Sequence, residues 1–265
     1  MDLFQAFIIA VVEGLTEFLP ISSTAHMKFV GPLVGLKSNT PFTDMFEVVI
    51  QLAAILAVVV LYRKKFFNFK KPGFYLKLIL AVIPSVVVAL LFKDRIDAAL
   101  DNIKFIAYVM LGGGILLLFI DRIFNHPMFD TEETVNYRRA FVIGCGQVLA
   151  IIFPGFSRSA ATIITGMAQN LTRKEAAEFS FFLAVPTMFA ASAKSFFDTY
   201  KDHPEVLDSS NLATLLLGSA VSFIVAMIAI KFFIGFLRKY GFFVWGIYRI
   251  IVGIIILVLI SKNII

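Results

Sequence analysis

Apolar residues gather into six long runs, at residues 45–62, 75–92, 104–123, 175–197, 212–235 and 243–261. Each is near the length an α-helix needs to cross ~30 Å of hydrocarbon. Two further apolar stretches, 3–35 and 140–170, are interrupted near the middle by a proline and hydroxyl side chains: Leu19-Pro20-Ile21-Ser22-Ser23-Thr24 and Phe153-Pro154-Gly155-Phe156-Ser157-Arg158-Ser159. Lipid cannot hydrogen-bond to irregular backbone, so such a break at membrane depth must be wrapped by protein or by a water-filled cavity. The pattern predicts an all-α integral membrane protein: six transmembrane helices around two re-entrant helix pairs.

The two broken stretches resemble each other. An offset of 134 carries Glu13 onto Gln147, Pro20 onto Pro154 and Ser23 onto Ser157, and an offset of 131 carries Glu47 onto Glu178. The chain therefore reads as one membrane domain with two repeats, about 1–132 and 133–265. Each has one re-entrant pair and three spans. An odd number of crossings starts the second repeat from the opposite side, which is the inverted-topology arrangement that places sites at broken helices near the midplane.

Composition narrows the class. Of 265 residues 59% are hydrophobic and 16% charged, against ~25% charged in soluble domains. Too little polar surface remains to cover a globule in water. Cys145 is the single cysteine, which excludes a disulfide framework, and no long basic tract suggests nucleic acid. The N-terminus carries Glu13 and Glu17 and no basic flank, so it reads as part of the mature chain and not as a signal peptide. With the N-terminus outside, the inner loops and adjoining span ends hold fourteen Lys and Arg and the outer ones six. The positive-inside rule then predicts both termini outside, together with the acidic loop from Asp198 to Asp208.

Four residues apart on a helix, Glu13 and Glu17 share one face. Ionisable groups at membrane depth are costly and mark functional sites. Two carboxylates suit a hard divalent cation, Mg²⁺ or Ca²⁺, completed by phosphate oxygens of a substrate; Glu17, nearer the break, is expected to be the stronger ligand. After Pro20, the run Ser22-Ser23-Thr24 is placed to cap a new helix with His26 in its first turn. Either serine could meet the imidazole, giving a Ser/His nucleophile pair or a histidine acting on water. The second break sets Arg158 among Ser157, Ser159 and Thr162 at another helix start, with Gly155 permitting close backbone approach. Free N–H groups there and a guanidinium fork both suit phosphate.

EGLTEFLPISSTAH at 13–26 and PGFSRSAAT at 154–162 closely resemble the signature segments of the undecaprenyl-diphosphate phosphatase family, also called bacitracin-resistance proteins. The resemblance spans the whole chain in length, number of spans and repeat spacing. It implies hydrolysis of the C55 prenyl diphosphate carrier to its monophosphate for cell-wall synthesis, in the bacterial plasma membrane, with the site facing outward. It carries over Glu13, Glu17, Ser23, His26, Ser157, Arg158, Ser159 and Thr162, all present in pattern. The expected roles are catalysis by Glu17, Ser23, His26 and Arg158, phosphate binding by Ser22, Gly155, Ser157, Arg158, Ser159 and Thr162, and metal binding by Glu13 and Glu17.

The rival reading is a transporter or flippase for a polyprenyl phosphate, since carriers share inverted repeats and midplane anion sites. Other polar residues invite plainer expectations. His126 and His203 should be solvated in loops, Gly112-Gly113-Gly114 should serve close helix packing, and Cys145 should be a small buried packing residue. Glu47 and Glu178 should brace the re-entrant pairs. Lys194 and Arg249 should snorkel from span ends, and apolar faces should meet lipid or a second copy of the chain in a homodimer.

Overall fold

The computed structural model describes residues 1–37, 40–130 and 134–264. Twelve α-helices follow in order: α1 (Leu3–Thr16), α2 (Ser23–Leu33), α3 (Pro41–Leu61), α4 (Arg63–Phe66), α5 (Pro72–Leu91), α6 (Lys93–Leu100), α7 (Ile103–Ile123), α8 (Tyr137–Ile152), α9 (Arg158–Met167), α10 (Arg173–Asp202), α11 (Ser209–Tyr240) and α12 (Phe243–Ser261). Among the described residues the β-type pairing is a single bridge between Phe129 and Leu171. Side-chain caps start many of the helices: Asp2 with Gln5 in a capping box, then Thr40, Asn102, Asn136, Thr172 and Asp208. Each satisfies a backbone N–H that the helix itself leaves unpaired.

Six helices, α3, α5, α7, α10, α11 and α12, are long and apolar enough to cross a membrane. On α5 alone Leu76, Ile79, Ile83, Val86, Val87, Leu90 and Leu91 are exposed. Water would not tolerate so continuous an apolar face, and the protein is a multi-pass membrane protein. Helices α10 and α11 outrun the apolar pattern, at 30 and 32 residues. Polar residues such as Lys201, Asp202, Arg238 and Lys239 continue the helix beyond what hydropathy alone detects. The short, charged α4 and α6 leave no such signal.

Packing interleaves the two halves of the chain. Helix α1 lies along α11, α8 along α5, α12 along α7, and α3 against both α10 and α11. Each first helix of a broken pair thus rests on a span from the other half. At the tip of α1, Phe18 packs edge-to-face on Phe181 of α10 with centroids 5.1 Å apart, and both rings are fully buried. Asp121 on α7 accepts from Arg173 Nε at 2.8 Å and from the Phe242 N–H at 2.6 Å, tying α7 to the starts of α10 and α12.

Three sequence expectations are corrected here. Cys145 is exposed, because the helical period turns Ala140, Ile143, Gly144 and Gln147 of α8 inward and leaves position 145 on the opposite side. Glu47 does brace a broken pair, through Lys28 of α2 at 3.5 Å, but Glu178 meets Lys65 of α4 at 3.1 Å and Lys174 of its own helix at 3.9 Å. Lys194 pairs with Asp198 one turn on, at 2.5 Å, well within the long α10. His126 is exposed as expected; His203 is also exposed, yet its Nδ1 lies 3.3 Å from Glu205.

Candidate active site

Both helix starts after the breaks use the same device. Ser22 caps α2 with φ 70 and ψ 94, its hydroxyl accepting from the Ala25 N–H at 3.3 Å; Ser157 caps α9 with φ 80 and ψ 118, accepting from the Ala160 N–H at 3.3 Å. Positive φ at a non-glycine residue stores ~1–3 kcal/mol and persists only where surrounding structure enforces it. The equivalent caps are 135 residues apart, so Ser22 matches Ser157 and Ser23 matches Arg158, one position off the sequence alignment. The cause is one extra residue between proline and cap in the second break. At Gly155, φ is +97 and a Cβ would sit 2.6 Å from the Ile106 carbonyl oxygen, so glycine is required there.

The breaks are tied together directly. Ser159 donates to the Leu19 carbonyl at 2.8 Å, Ser157 reaches the same oxygen at 3.4 Å, and the two hydroxyls are 3.0 Å apart. Arg249 completes the tie from α12. It is fully buried and donates to the carbonyls of Pro20 (3.1 Å), Gly155 (2.8 Å) and Phe156 (2.6 Å) in the breaks, and of Met110 (3.1 Å) and Val109 (3.4 Å) on α7. This overturns the expectation that it snorkels: the breaks expose carbonyls that no helix satisfies, and the guanidinium is their donor. Gly113 makes room, since a Cβ there would collide with the guanidinium, and Gly114 packs on Gly246; Gly112 faces open space. Arg249→Met should therefore destabilise the protein by at least about 3 kcal/mol, because each orphaned buried carbonyl costs ~1–3 kcal/mol. Thermal unfolding in detergent would measure the loss, and an unchanged transition would remove Arg249 from this role.

Around the joined breaks lies a cavity of about 110 Å³ lined by Glu17, Ser22, Ser23, Thr24, Gln51, Gly155, Ser157 and Arg158, among others. Glu17, the C-cap of α1, is its hub. One carboxylate oxygen accepts from the Ser23 hydroxyl at 2.5 Å, and the other accepts from Arg158 Nη2 at 2.5 Å. Arg158 also donates from Nη1 to the Ser180 carbonyl at 3.2 Å, while its buried Nε–H has no acceptor among the described residues. One turn before Glu17, the Glu13 carboxylate is fully buried with no nitrogen or hydroxyl donor to either oxygen among the described residues, and its charged neighbours are Glu17, Glu47 and Arg158.

The expected Ser/His pair does not form. His26 turns Nδ1 to the Ser22 carbonyl at 2.7 Å and Nε2 to the Tyr248 hydroxyl at 2.9 Å. Helical geometry explains this: His26 lies four residues after Ser22, which aligns its ring with the backbone of the cap, while Ser23 faces back toward α1. Of the residues expected to bind phosphate, Ser22, Gly155, Ser157 and Arg158 line the cavity. Ser159 is committed to Leu19, and Thr162 to Ser180 Oγ at 2.6 Å and to the Arg158 carbonyl at 2.9 Å. Gln51 is a lining residue that sequence reasoning missed; its signal was its place one turn after Glu47 on α3.

A second cavity of about 700 Å³ adjoins the first, sharing Thr24, Gln51 and Leu100. It is lined by α3, α6 and the end of α10, with Lys28, Asp44, Asp97, Asp198 and His203 among its polar residues. No cluster of three or more metal-ligating His, Cys, Asp or Glu side chains occurs among the described residues. The carboxylates at or next to the cavity are the two glutamates: Glu17 lines it and has both oxygens engaged, and Glu13 lies behind it with both oxygens buried and unpartnered among the described residues.

The family model described as "Bacitracin resistance protein BacA" matches residues 6–255. Similar proteins include one named undecaprenyl-diphosphatase from Flavobacterium johnsoniae, 50% identical over 98% of this chain and 96% of its own length. Others of that name come from Flavobacterium psychrophilum, 49% identical over 98% and 96%, and Porphyromonas gingivalis strain W83, 45% identical over 100% and 99%.

Proposed function

This chain belongs to the bacitracin resistance protein BacA family, and we propose that it hydrolyses undecaprenyl diphosphate to undecaprenyl phosphate and inorganic phosphate through the Ser23–Glu17–Arg158 array. The enzyme thereby returns the lipid carrier to cell-wall synthesis and confers resistance to bacitracin, which is consistent with the names of its relatives. The observation that carries the site assignment is the hydrogen-bonded chain from a helix-start serine through one carboxylate to a buried arginine, at the edge of a single cavity.

In this reading the Ser23 hydroxyl attacks the terminal phosphorus and its proton passes to Glu17 Oε2, its existing hydrogen-bond acceptor. The anhydride bond to the bridging oxygen breaks, and the prenyl monophosphate leaves. Water then cleaves the phosphoserine. Arg158 offers the phosphate its unpartnered Nε–H and shares its fork with Glu17, and the two helix starts add free N–H groups. Phosphoryl transfer needs mostly positioning and charge neutralisation, which suits this inventory. Hydrolysis is favoured over carriage of an intact lipid phosphate by the nucleophile already paired with its proton acceptor. Phosphate release from undecaprenyl diphosphate by the purified protein tests this, and a protein that moves the lipid without releasing phosphate would reverse it.

Glu13 and Glu17 would hold a hard divalent cation, Mg²⁺ or Ca²⁺, which when bound would neutralise charge on the diphosphate oxygens. Both Glu17 oxygens already hold donors while the buried Glu13 oxygens hold none, which supports Glu13 as the stronger ligand where the sequence alone favours Glu17. Glu13→Gln should therefore weaken Mg²⁺ or Ca²⁺ binding to the purified protein, measured by titration calorimetry, more than Glu17→Gln does. Equal affinities in both variants and wild type would leave the carboxylates without a metal role.

The membrane arrangement follows the same logic. Matching cap conformations at Ser22 and Ser157, and the exchange by which α1 packs on α11 and α8 on α5, support an inverted repeat of two re-entrant pairs. The larger cavity lies at the end of the molecule that carries Asp198 and Asp202, so the site opens outward if basic loops face the cytoplasm of a bacterial plasma membrane. Single cysteines in a Cys145→Ser background should be labelled by an impermeant reagent in intact cells at 203–208 and not at 67–71. The opposite pattern would invert the topology.

A further inference from the structure

The ring of His26 presents a tautomer problem that the structure solves. A carbonyl oxygen has no proton to give, so the 2.7 Å contact between Nδ1 and the Ser22 carbonyl requires the proton to reside on Nδ1. In the neutral ring Nε2 is then an acceptor, and the group that meets it at 2.9 Å is the hydroxyl of Tyr248, from a helix 222 residues away in sequence. The two rings are also stacked, 10° from parallel with centroids 5.7 Å apart. Both nitrogens are fixed, and so is the ring plane.

This arrangement ends at the strained cap. Ser22 holds φ 70, which its neighbours must enforce, and the next residue is Ser23, whose hydroxyl must stay on Glu17. Without a donor on Nε2 the imidazole could move its proton to that nitrogen, and Nδ1 would then face the Ser22 carbonyl as lone pair against lone pair. The second break has no such brace: Ala161 stands 135 residues after His26, and Arg249 holds the carbonyls of Gly155 and Phe156 directly. Consecutive residues of α12 thus secure the two breaks, Arg249 both of them and Tyr248 the one that carries the nucleophile.

We propose that Tyr248 is a positioning residue for the hydrolytic reaction: its hydroxyl locks His26 in the Nδ1–H tautomer, which holds the Ser22 cap and aims Ser23 at the phosphorus. The assignment rests on the reading of Ser23 as nucleophile. Should the ring become protonated, the same hydroxyl can turn to accept from Nε2–H, so the brace survives either charge state.

Tyr248→Phe keeps the stacked ring and removes the donor, and Tyr248 is partly exposed at 38%, so this variant should fold. Loss of one positioning hydrogen bond should lower kcat about fivefold with KM within about twofold. A role in packing alone would leave kcat unchanged in Phe and lower it only in Tyr248→Leu. The protein has three histidines, so ¹⁵N-histidine spectra of the purified protein in detergent give few signals, and His26→Gln assigns the pair of interest. The His26 Nε2 signal should shift in Tyr248→Phe while those of His126 and His203 stay in place. Unchanged His26 signals overturn the contact, and shifted signals with normal kcat overturn its consequence for turnover. A wild-type protein that releases no phosphate overturns the reading of the site on which the proposal stands.

Discussion

Ser23→Ala should lower the turnover of undecaprenyl diphosphate by about 10⁴ or more, with diphosphate still bound at near wild-type affinity. Removing the nucleophile of a coupled array costs many powers of ten, whereas loss of a hydroxyl at a cavity edge takes little from substrate binding. Glu17→Gln should approach the same loss, because the amide cannot take the serine proton that Oε2 accepts at 2.5 Å. His26→Ala should be milder, about ten- to a hundredfold, since the imidazole touches the Ser22 carbonyl and not the Ser23 hydroxyl. The ranking separates two mechanisms. If His26 activates water, His26→Ala becomes the most damaging of the three and Ser23→Ala retains more than about a tenth of normal turnover. Steady-state phosphate release from purified variants, with binding followed separately, reads both quantities.

That ranking could not be drawn from sequence. The spacing of Ser22, Ser23 and His26 put all three on one turn, but spacing alone does not say which way a helix start faces. The orientation of Ser23 toward α1 is set by a positive φ at Ser22 that only tertiary contacts enforce. What was legible had local causes. Six spans followed from unbroken apolar runs, and the breaks from a proline beside hydroxyls. Glu13, Glu17 and Arg158 stood out because a charge at membrane depth is too costly to be incidental. The invisible parts are all long-range. Arg249 contacts Pro20 from 229 residues away, and within its own helix it is indistinguishable from a snorkelling arginine. Tyr248 is one aromatic among many in an apolar run. Aligned on its prolines, the proposed repeat pairs Ser23 with Ser157, whereas the matching cap geometry pairs Ser22 with Ser157.

The interleaved packing explains why a charged array can persist in such a chain. Each break leaves carbonyls and N–H groups that no helix pairs, and lipid could not satisfy them. The two breaks meet at Leu19, Ser157 and Ser159, and Arg249 takes three of the remaining carbonyls. Ser23, Thr24 and Arg158 at the two helix starts line a cavity, and in the proposed reading an anionic headgroup takes up the donors left over there. In the proposed reading one construction both satisfies the polar backbone and binds phosphate.

Arg158→Lys should lower turnover about a hundredfold with a smaller change in KM. The guanidinium serves two partners from one rigid plane, Glu17 through Nη2 and the Ser180 carbonyl through Nη1, and in the proposed reading the unpartnered Nε–H takes a phosphate oxygen as the third. Lysine keeps the charge but replaces the fork by a single hydrated point charge, so holding Glu17 and engaging phosphate become competing tasks. The charge that builds on the phosphoryl oxygens in the transition state then loses a preorganised donor, at a cost on the order of 3 kcal/mol. Ground-state binding loses less, because the helix starts still hold the diphosphate. Arg158→Ala should be worse in both kcat and KM, since Glu17 is also left as a buried carboxylate without its partner. Measured kcat and KM of the two variants decide the matter: a lysine enzyme with normal turnover would reduce the role of Arg158 to net charge. Equal losses in thermal stability and activity would instead make the Arg158–Glu17 pair structural.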